Sequence, residues 1–262
     1  MPIGSILSKF KEVKISTADN KTYNTKMNFL AKTAIKIIGI PHIGFRIRAR
    51  KILNLFKKIN KNSKILDAGC GYGIYSMILA EKGYSINAID IEKERISEIN
   101  SMKKQYKKIE SKINAITGTL TKLHYKKESF DVVLSSEVIE HIKNDSKAFS
   151  ELARVLKKRG ILILTIPIDS KYNRKEYKKF GHERPGYHIK DLKKLADKNN
   201  LRIKKIFFHD YLFGILTFKI HNSINSKAIM GLFFYLFYII SFLDTLKIGE
   251  PSGAIIIFEK IN

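Results

Sequence analysis

The sequence predicts an α/β protein built on a doubly wound, mostly parallel sheet of seven strands. Three observations lead there. From Ser63 onward, short apolar runs alternate with longer amphipathic stretches, the pattern of strands joined by helices. The first of those runs, Lys64–Ala68, passes into a turn holding Gly69, Gly71 and Gly73, directly before a helical stretch. The chain has 262 residues, 44% hydrophobic and 28% charged, which suits one α/β domain with an appendage and is too short for two full domains.

The elements follow in order. Residues 1–7 are mildly apolar, but Lys9, Lys11 and Lys14 come at once and no signal-peptide core develops. Between Phe29 and Ile40, apolar residues alternate with Lys32 and Lys36 in the manner of a basic amphipathic helix that Pro41 ends. A second basic helix is expected over 45–59. Together they make residues 1–60 a basic, helical N-terminal extension, which either caps the main domain or forms part of a substrate or membrane face. The core, 61–208, then reads as strands over 64–68, 84–90, 112–117, 130–135, 161–167 and 201–208. Helices are expected over 74–82, 92–107, 145–157 and 189–199. Residues 209–250 form an insertion, and 251–262 hold the last strand, at 254–259.

That insertion contains sixteen consecutive uncharged residues, 228–243, apolar all round. The stretch is shorter than the ~20 residues that span a bilayer. It also lies between two strands that must return to one sheet. A hydrophobic lid, a homodimer surface or a helix dipped into an anionic membrane face are the readings it leaves, with Lys219, Lys227 and Lys247 as flanking cations.

Charge and cysteine bound the setting. Lys and Arg number 49 against 24 Asp and Glu, a formal charge of +25. Such an excess suits nucleic acid, a membrane surface or an anionic substrate. Lysine is nevertheless spread along the whole chain, which is equally a matter of composition. Cys70 is the single cysteine, so an intrachain disulfide framework and a zinc site with two thiolates are both excluded. A reducing, cytoplasmic location follows as the simplest expectation, either free or peripheral at the inner face of a membrane.

The glycine turn carries the first chemistry. Its spacing, G-x-G-x-G, is not the G-x-G-x-x-G of dinucleotide folds. Asp67 precedes it by two residues and would repel a pyrophosphate, but would attract a ligand bearing an ammonium and a sulfonium, such as S-adenosylmethionine (SAM). Asp90 ends the second strand, 17 residues after Gly73, where a carboxylate can accept both hydroxyls of a ribose.

The string Ile65-Leu66-Asp67-Ala68-Gly69-Cys70-Gly71-Tyr72-Gly73 resembles the first motif of class I SAM-dependent methyltransferases. Asp90 matches their ribose-binding acid. The runs from Phe130 to His141, from Glu151 to Lys157 and from Gly160 to Thr165 resemble their fourth strand, following helix and fifth strand. The likeness runs from about Lys51 to Pro167 and is specific to the cofactor half. It implies the Rossmann-like methyltransferase fold, SAM as cofactor, and cofactor contacts from Asp67, Gly69, Cys70, Gly71, Gly73, Asp90, Ile91, Thr119, Leu120 and Ser135. One departure stands out: Gly118-Thr119-Leu120 replaces the family's Gly-Asp, so a hydroxyl takes the place of a carboxylate beside the adenine. Cys70 is expected to be inert.

For the acceptor half, Glu137, Glu140 and His141 would share one face if their segment is helical. Glu-x-x-Glu-His is similar to a metal-holding motif in ubiquinone-pathway O-methyltransferases, yet the same string occurs in metal-free relatives, and no metal is assigned. His141 is a base candidate. The string from Gly181 to His188 supplies His182, Arg184 and Tyr187. Related small-molecule methyltransferases often place an acceptor-facing His-x-Arg there, with His182 the other base candidate; the alternative is a turn and helix cap. The expected function is methyl transfer from SAM to a small-molecule or lipid-linked acceptor, at oxygen. Two alternatives are a nucleic-acid methyltransferase and an inactive SAM-binding membrane-associated protein. Against the first, Ser135-Ser136-Glu137-Val138 stands where base amino-methyltransferases carry Asn/Asp-Pro-Pro-aromatic, and no aromatic-basic RNA module is visible. Against the second, the glycine loop and Asp90 are intact.

Overall fold

A computed structural model describes residues 12–16, 22–26, 43–223, 236, 239–240 and 243–261. Strands β1 (Glu12–Ser16) and β2 (Thr22–Lys26) form an antiparallel hairpin with Glu12 opposite Lys26. The helical reading of residues 1–60 is corrected there. Val13 and Ile15 alternate with polar neighbours, and Thr22, Tyr23 and Thr25 are β-formers, so the local period is 2. The amphipathic helix expected over 29–40 lies outside the described residues. The second basic helix is present as α1 (Ile43–Phe56) and buries Ala49, Ile52 and Phe56.

The core alternates as expected: β3 (Lys64–Ala68), α2 (Ile74–Glu81), β4 (Ser85–Asp90), α3 (Lys93–Gln105), the short α4 (Lys107–Glu110), β5 (Ile113–Thr117), β6 (Phe130–Ser136), α5 (Asp145–Val155), β7 (Leu156–Pro167), α6 (Lys171–Glu176), α7 (Ile189–Lys198), β8 (Leu201–His209), α8 (Leu212–Ser223) and β9 (Gly253–Lys260). The sheet runs β5-β4-β3-β6-β7-β9-β8. Ile65 of β3 pairs in parallel with both Ile86 and Val132, and β9 alone runs antiparallel, to β7 on one side and β8 on the other.

Strand alternation divides the core in two. Ile65, Val132, Ile163 and Ile255 point to one face and pack under α1, α2 and α3 through Ile52, Met77 and Ile99. Their neighbours Leu66, Val133, Leu164 and Ile256 point to the other and meet Phe149 and Leu152 of α5 and Leu192 of α7. Strands buried on both faces need continuous apolar runs, which is why 65–68 and 161–166 are apolar nearly throughout. The parallel strands all end on one edge, and the loops that follow them there build the site.

The second face depends on Phe149, fully buried with its ring edge-on to Phe258 at 5.5 Å. Phe149→Ala is expected to cost about 3–5 kcal/mol of unfolding free energy. A urea titration checks this, and a shift in midpoint worth less than ~1 kcal/mol would mean that the α5 layer contributes little.

Candidate active site

A cavity of about 890 Å³ opens at the C-terminal edge of the parallel strands, where doubly wound sheets bind ligands. Its first wall is the glycine turn. Gly69 and Gly71 take φ of 76° and 54°, the left-handed region open to glycine. A Cβ on Gly69 would lie 2.5 Å from the Val138 side chain, whereas one on Gly71 would meet nothing within 4 Å, so that backbone faces open space. The N–H groups of Gly69 and Cys70 donate to the Ile89 carbonyl at 2.8 and 3.0 Å. Asp90 accepts from the Gly71 N–H at 2.7 Å and the Glu92 N–H at 3.1 Å, and Arg95 approaches to 3.6 Å.

Asp67 is buried beneath this turn and accepts a 2.6 Å hydrogen bond from the Ser76 hydroxyl. Burial pushes its carboxyl up to about 6; Ser76 opposes the shift and the nearby Asp90 charge adds to it. Burial, reinforced by Asp67 and Asp90, pushes the Cys70 thiol well up, which keeps it protonated and unreactive. Asp67, Gly69, Cys70, Gly71, Asp90, Ile91, Thr119 and Leu120 all line the cavity. Thr119 shares its hydroxyl with Thr121, 3.0 Å away. Gly73 sits behind the wall, where a Cβ would strike Ile99 at 2.8 Å.

Ser135 is a correction. It is fully buried and does not line the cavity, whereas Ser136, next along β6, does. Side chains alternate across a strand, and the phase of β6 sends Ser136 to the ligand side.

The opposite wall also differs from expectation. Residues Ile139–His141 form one 3₁₀ turn and not an α-helical face. Glu137, at φ 56°, turns back to accept from the Thr165 hydroxyl at 2.8 Å. His182 takes its place: ligand-capable atoms of Glu140, His141 and His182 lie within 4.8 Å of one another. Glu140 is fully buried with no hydrogen-bond partner to either oxygen among the described residues, and burial, with Glu137 adding, holds its carboxyl well above the usual range. His141 places Nδ1 3.0 Å from the Gly181 carbonyl, which assigns the proton to that nitrogen and leaves Nε2 as the acceptor of the neutral ring. The two imidazoles meet edge to face at 4.7 Å. Burial, then His141, pushes His182 down to about 4, so it is neutral near pH 7.

Arg184 is the other correction. It does not line the cavity. Its guanidinium pairs with Asp145 at 2.9 Å and lies over the Tyr187 ring, whose hydroxyl donates to the same carboxylate at 2.7 Å. Asp145 begins α5, so Arg184 and Tyr187 fasten the 181–188 loop to that helix while Glu183 N–H donates to the Glu140 carbonyl at 2.8 Å. The clamp carries His182 inward and turns Arg184 away.

Several lining residues were missed: Phe45 and Arg48 from α1, Tyr75, Tyr172, and the pair His209 and Asp210 at the end of β8. Arg48 has a buried Nε with no hydrogen-bond partner among the described residues. Desolvation opposes its charge, but Glu137 and Asp210 outweigh it and hold the guanidinium protonated. A polar pair directly after the apolar run Ile206–Phe208, on the ligand edge, was the available signal for His209 and Asp210.

Sheet order, glycine turn and cavity define the class: a doubly wound α/β domain that holds a nucleoside-type ligand at its switch point. Residues 66–164 match the family described as a methyltransferase domain. A ubiquinone biosynthesis O-methyltransferase of Rickettsia typhi is 35% identical over 126 residues, 48% of this chain and 49% of that one. The enzyme of the same name from Rickettsia akari is 34% identical over 161 residues, 62% of this chain and 61% of its own. The chain thus spans about half the length of several curated relatives that it matches. Among solved structures, a geranyl diphosphate methyltransferase in complex with SAM aligns with a TM-score of 0.64 at 12% identity, covering 82% of this chain and 85% of that one. The phosphoethanolamine N-methyltransferase 2 of Haemonchus contortus, with SAM, gives 0.64 at 16%, covering 91% and 58%. The fold is that of the class I SAM-dependent methyltransferases.

The raised Asp67 carboxyl has a pH consequence. Its folded value of about 6 lies above the ordinary 3.8, so its contribution is fully present below the ordinary value and is lost as pH rises through 6. Relative to Asp67→Asn, which keeps an acceptor for Ser76, wild type is expected to lose about 2–4 kcal/mol between about pH 4 and pH 7. Urea unfolding at a series of pH values checks this; parallel curves for the two proteins would place the Asp67 titration elsewhere.

Proposed function

We propose that this protein transfers the methyl group of SAM to a hydroxyl oxygen of a small-molecule or lipid-linked acceptor. The observation that carries the proposal is the pairing of two walls across one cavity: Asp67, Asp90 and the glycine turn on one, His141 and His182 on the other. The relatives named ubiquinone biosynthesis O-methyltransferase support the choice of oxygen. In this reading the core over 61–208 and 251–262, with Arg48 from α1, holds the cofactor, and the cavity-lining residues His209, Asp210, Ile215 and Phe218 face the acceptor.

The residues suit SAM. Asp90 has lone pairs beyond those its two N–H donors use, available to ribose hydroxyls. Asp67 supplies negative potential beneath the ligand's cationic groups, and Arg48, with its buried Nε unpartnered among the described residues, suits the carboxylate of the methionine moiety. Ile91, Thr119 and Leu120 line the part of the cavity that would receive the adenine. Bound SAM supplies an activated methyl group. The protein must then position the acceptor, exclude water and take its proton. His141, with Nδ1 committed to the Gly181 carbonyl, presents Nε2 as a proton acceptor, and His182 is held neutral beside it. With SAM bound, the acceptor oxygen would take the methyl group from sulfur and give its proton to imidazole. Glu140, His141 and His182 also form a donor set that fits a divalent cation, which would polarise the acceptor oxygen; loss of activity to a chelator with recovery on added Mg²⁺ would favour that reading.

The acceptor side reaches an apolar surface. Ile215 and Phe218 of α8 line the cavity, while Leu212 and Leu216 of the same helix, and Leu243, Leu246 and Ile248 nearby, are exposed. Most of 228–243 lies outside the described residues, though Leu236 and Ile239 are helical and exposed. No helix among the described residues is long and apolar enough to cross a membrane. We assign this surface to peripheral contact with an anionic bilayer, the route for a lipid-linked acceptor, in a cytoplasmic protein. A homodimer face is the rival.

Calorimetry with SAM tests the cofactor site: Asp90→Ala is expected to weaken binding by about 1–3 kcal/mol. Labelled SAM offered with lipid, metabolite and RNA fractions tests the acceptor class, and His182→Ala should lower turnover more than SAM affinity. Label entering only RNA, or tight NAD binding in place of SAM, would overturn the proposal. For the surface, co-sedimentation with anionic liposomes should fall in high salt and fall further in the double variant Leu216→Glu, Leu246→Glu. A wild type that ignores liposomes and is dimeric assigns the face to the dimer.

A further inference from the structure

We propose that His209 and Asp210 form a second recognition point for the acceptor, reading a hydrogen-bond donor remote from the oxygen that is methylated. The proposal rests on the methyltransferase reading and extends it to the chemistry of the acceptor. His209 closes β8 and is 2% exposed, yet it lines the cavity. Its Nδ1 lies 2.8 Å from Asp210 Oδ2. A carboxylate only accepts, so Nδ1 carries the proton, and Nε2 is the nitrogen left to present a lone pair in the neutral ring. That Nε2 is buried with no hydrogen-bond partner among the described residues. Buried polar atoms are nearly always satisfied, so one left over in a cavity wall marks where a ligand atom fits.

The pair is built in. Asp210 takes a left-handed φ of 55°, its carbonyl accepts from the Ser252 N–H at 3.0 Å, and its carboxylate lies 3.9 Å from Arg48. The imidazole occupies the space that a side chain on Gly253 would need: a Cβ there would stand 2.3 Å from His209 Cε1. The ring is thus held between a carboxylate and a bare backbone, oriented by both.

Place in the sheet separates its role from that of the other histidines. β8 is the third strand from β6, with β7 and β9 between them. At about 4.8 Å per strand, the His209 backbone stands about 14 Å across the sheet from the end of β6, where Ser136 and the His141 turn border the cavity. One acceptor atom cannot serve both positions. His209 therefore meets another part of the acceptor, and a lone pair on Nε2 selects a hydroxyl or an amide N–H there.

Two phenols that differ by one hydroxyl test this: 4-propylphenol and 4-(3-hydroxypropyl)phenol, with labelled SAM. Wild type should show a KM about 10-fold lower for the hydroxylated member, the size of one hydrogen bond, with similar kcat. His209→Phe should abolish that ratio and leave the KM for SAM unchanged, and His209→Gln, which keeps polar atoms, should restore part of it. Equal KM values in wild type, or a ratio that survives His209→Phe, would overturn the proposal. If neither phenol takes label while SAM still binds, the O-methylation reading fails for phenols. The same pair titrated into protein loaded with the demethylated cofactor then decides separately: a preference lost in His209→Phe supports the anchor, and equal wild-type affinities overturn it.

Discussion

The site depends on how the turn after β3 is fastened to the end of β4. Ile89 gives its carbonyl to Gly69 and Cys70, and Asp90 gives its carboxylate to Gly71. These bonds pin the glycine turn over the neighbouring strand and set the floor of the cavity. They also place Asp67 under the turn, where burial raises its carboxyl. A side chain at Gly69 would collide with Val138, so the turn, the β6 loop and the left-handed backbone form a single steric solution.

The opposite wall is held by a different device. Arg184 and Tyr187 both grip Asp145 at the start of α5, and the N–H groups of His182, Glu183 and Tyr187 bond to backbone carbonyls outside the 181–188 loop. With that grip, His182 lies edge to face with His141. The titratable groups around the cavity share a tendency. Burial raises Glu140 and Asp67 and lowers His182, in each case toward the neutral form. Arg48 is the exception, held charged by the acids around it. Further charges line the cavity beside the glycine turn, where Asp90 faces Arg95.

Charge and apolar exposure act outside the cavity. A formal charge of +25 gives the chain a positive field toward any anionic surface. Leu212 and Leu216 stand exposed on the helix that lends Ile215 and Phe218 to the cavity, so one short helix joins interior and surface. That continuity is the observation on which the proposed bilayer contact rests.

The succession of strands and helices along the core, the glycine turn and the positions of Asp67 and Asp90 were legible in the sequence, because each rests on a local pattern: a period in hydrophobicity, a run of glycines, an acid at a strand end. Tertiary structure decided what local pattern does not carry. The phase of β6 exchanged Ser135 for Ser136, since both faces of that strand are covered and neither serine is marked by its neighbours. The 3₁₀ turn removed Glu137 from the group that an α-helix would have formed, and His182 entered it from a loop some forty residues later. Arg184 carried a motif-like spacing but turned to Asp145, a partner that spacing cannot name. Arg48 and His209 reach one cavity from elements more than 150 residues apart, and the sequence alone gives no distance between them. Element identity is local; side-chain direction is set by packing across the whole sheet.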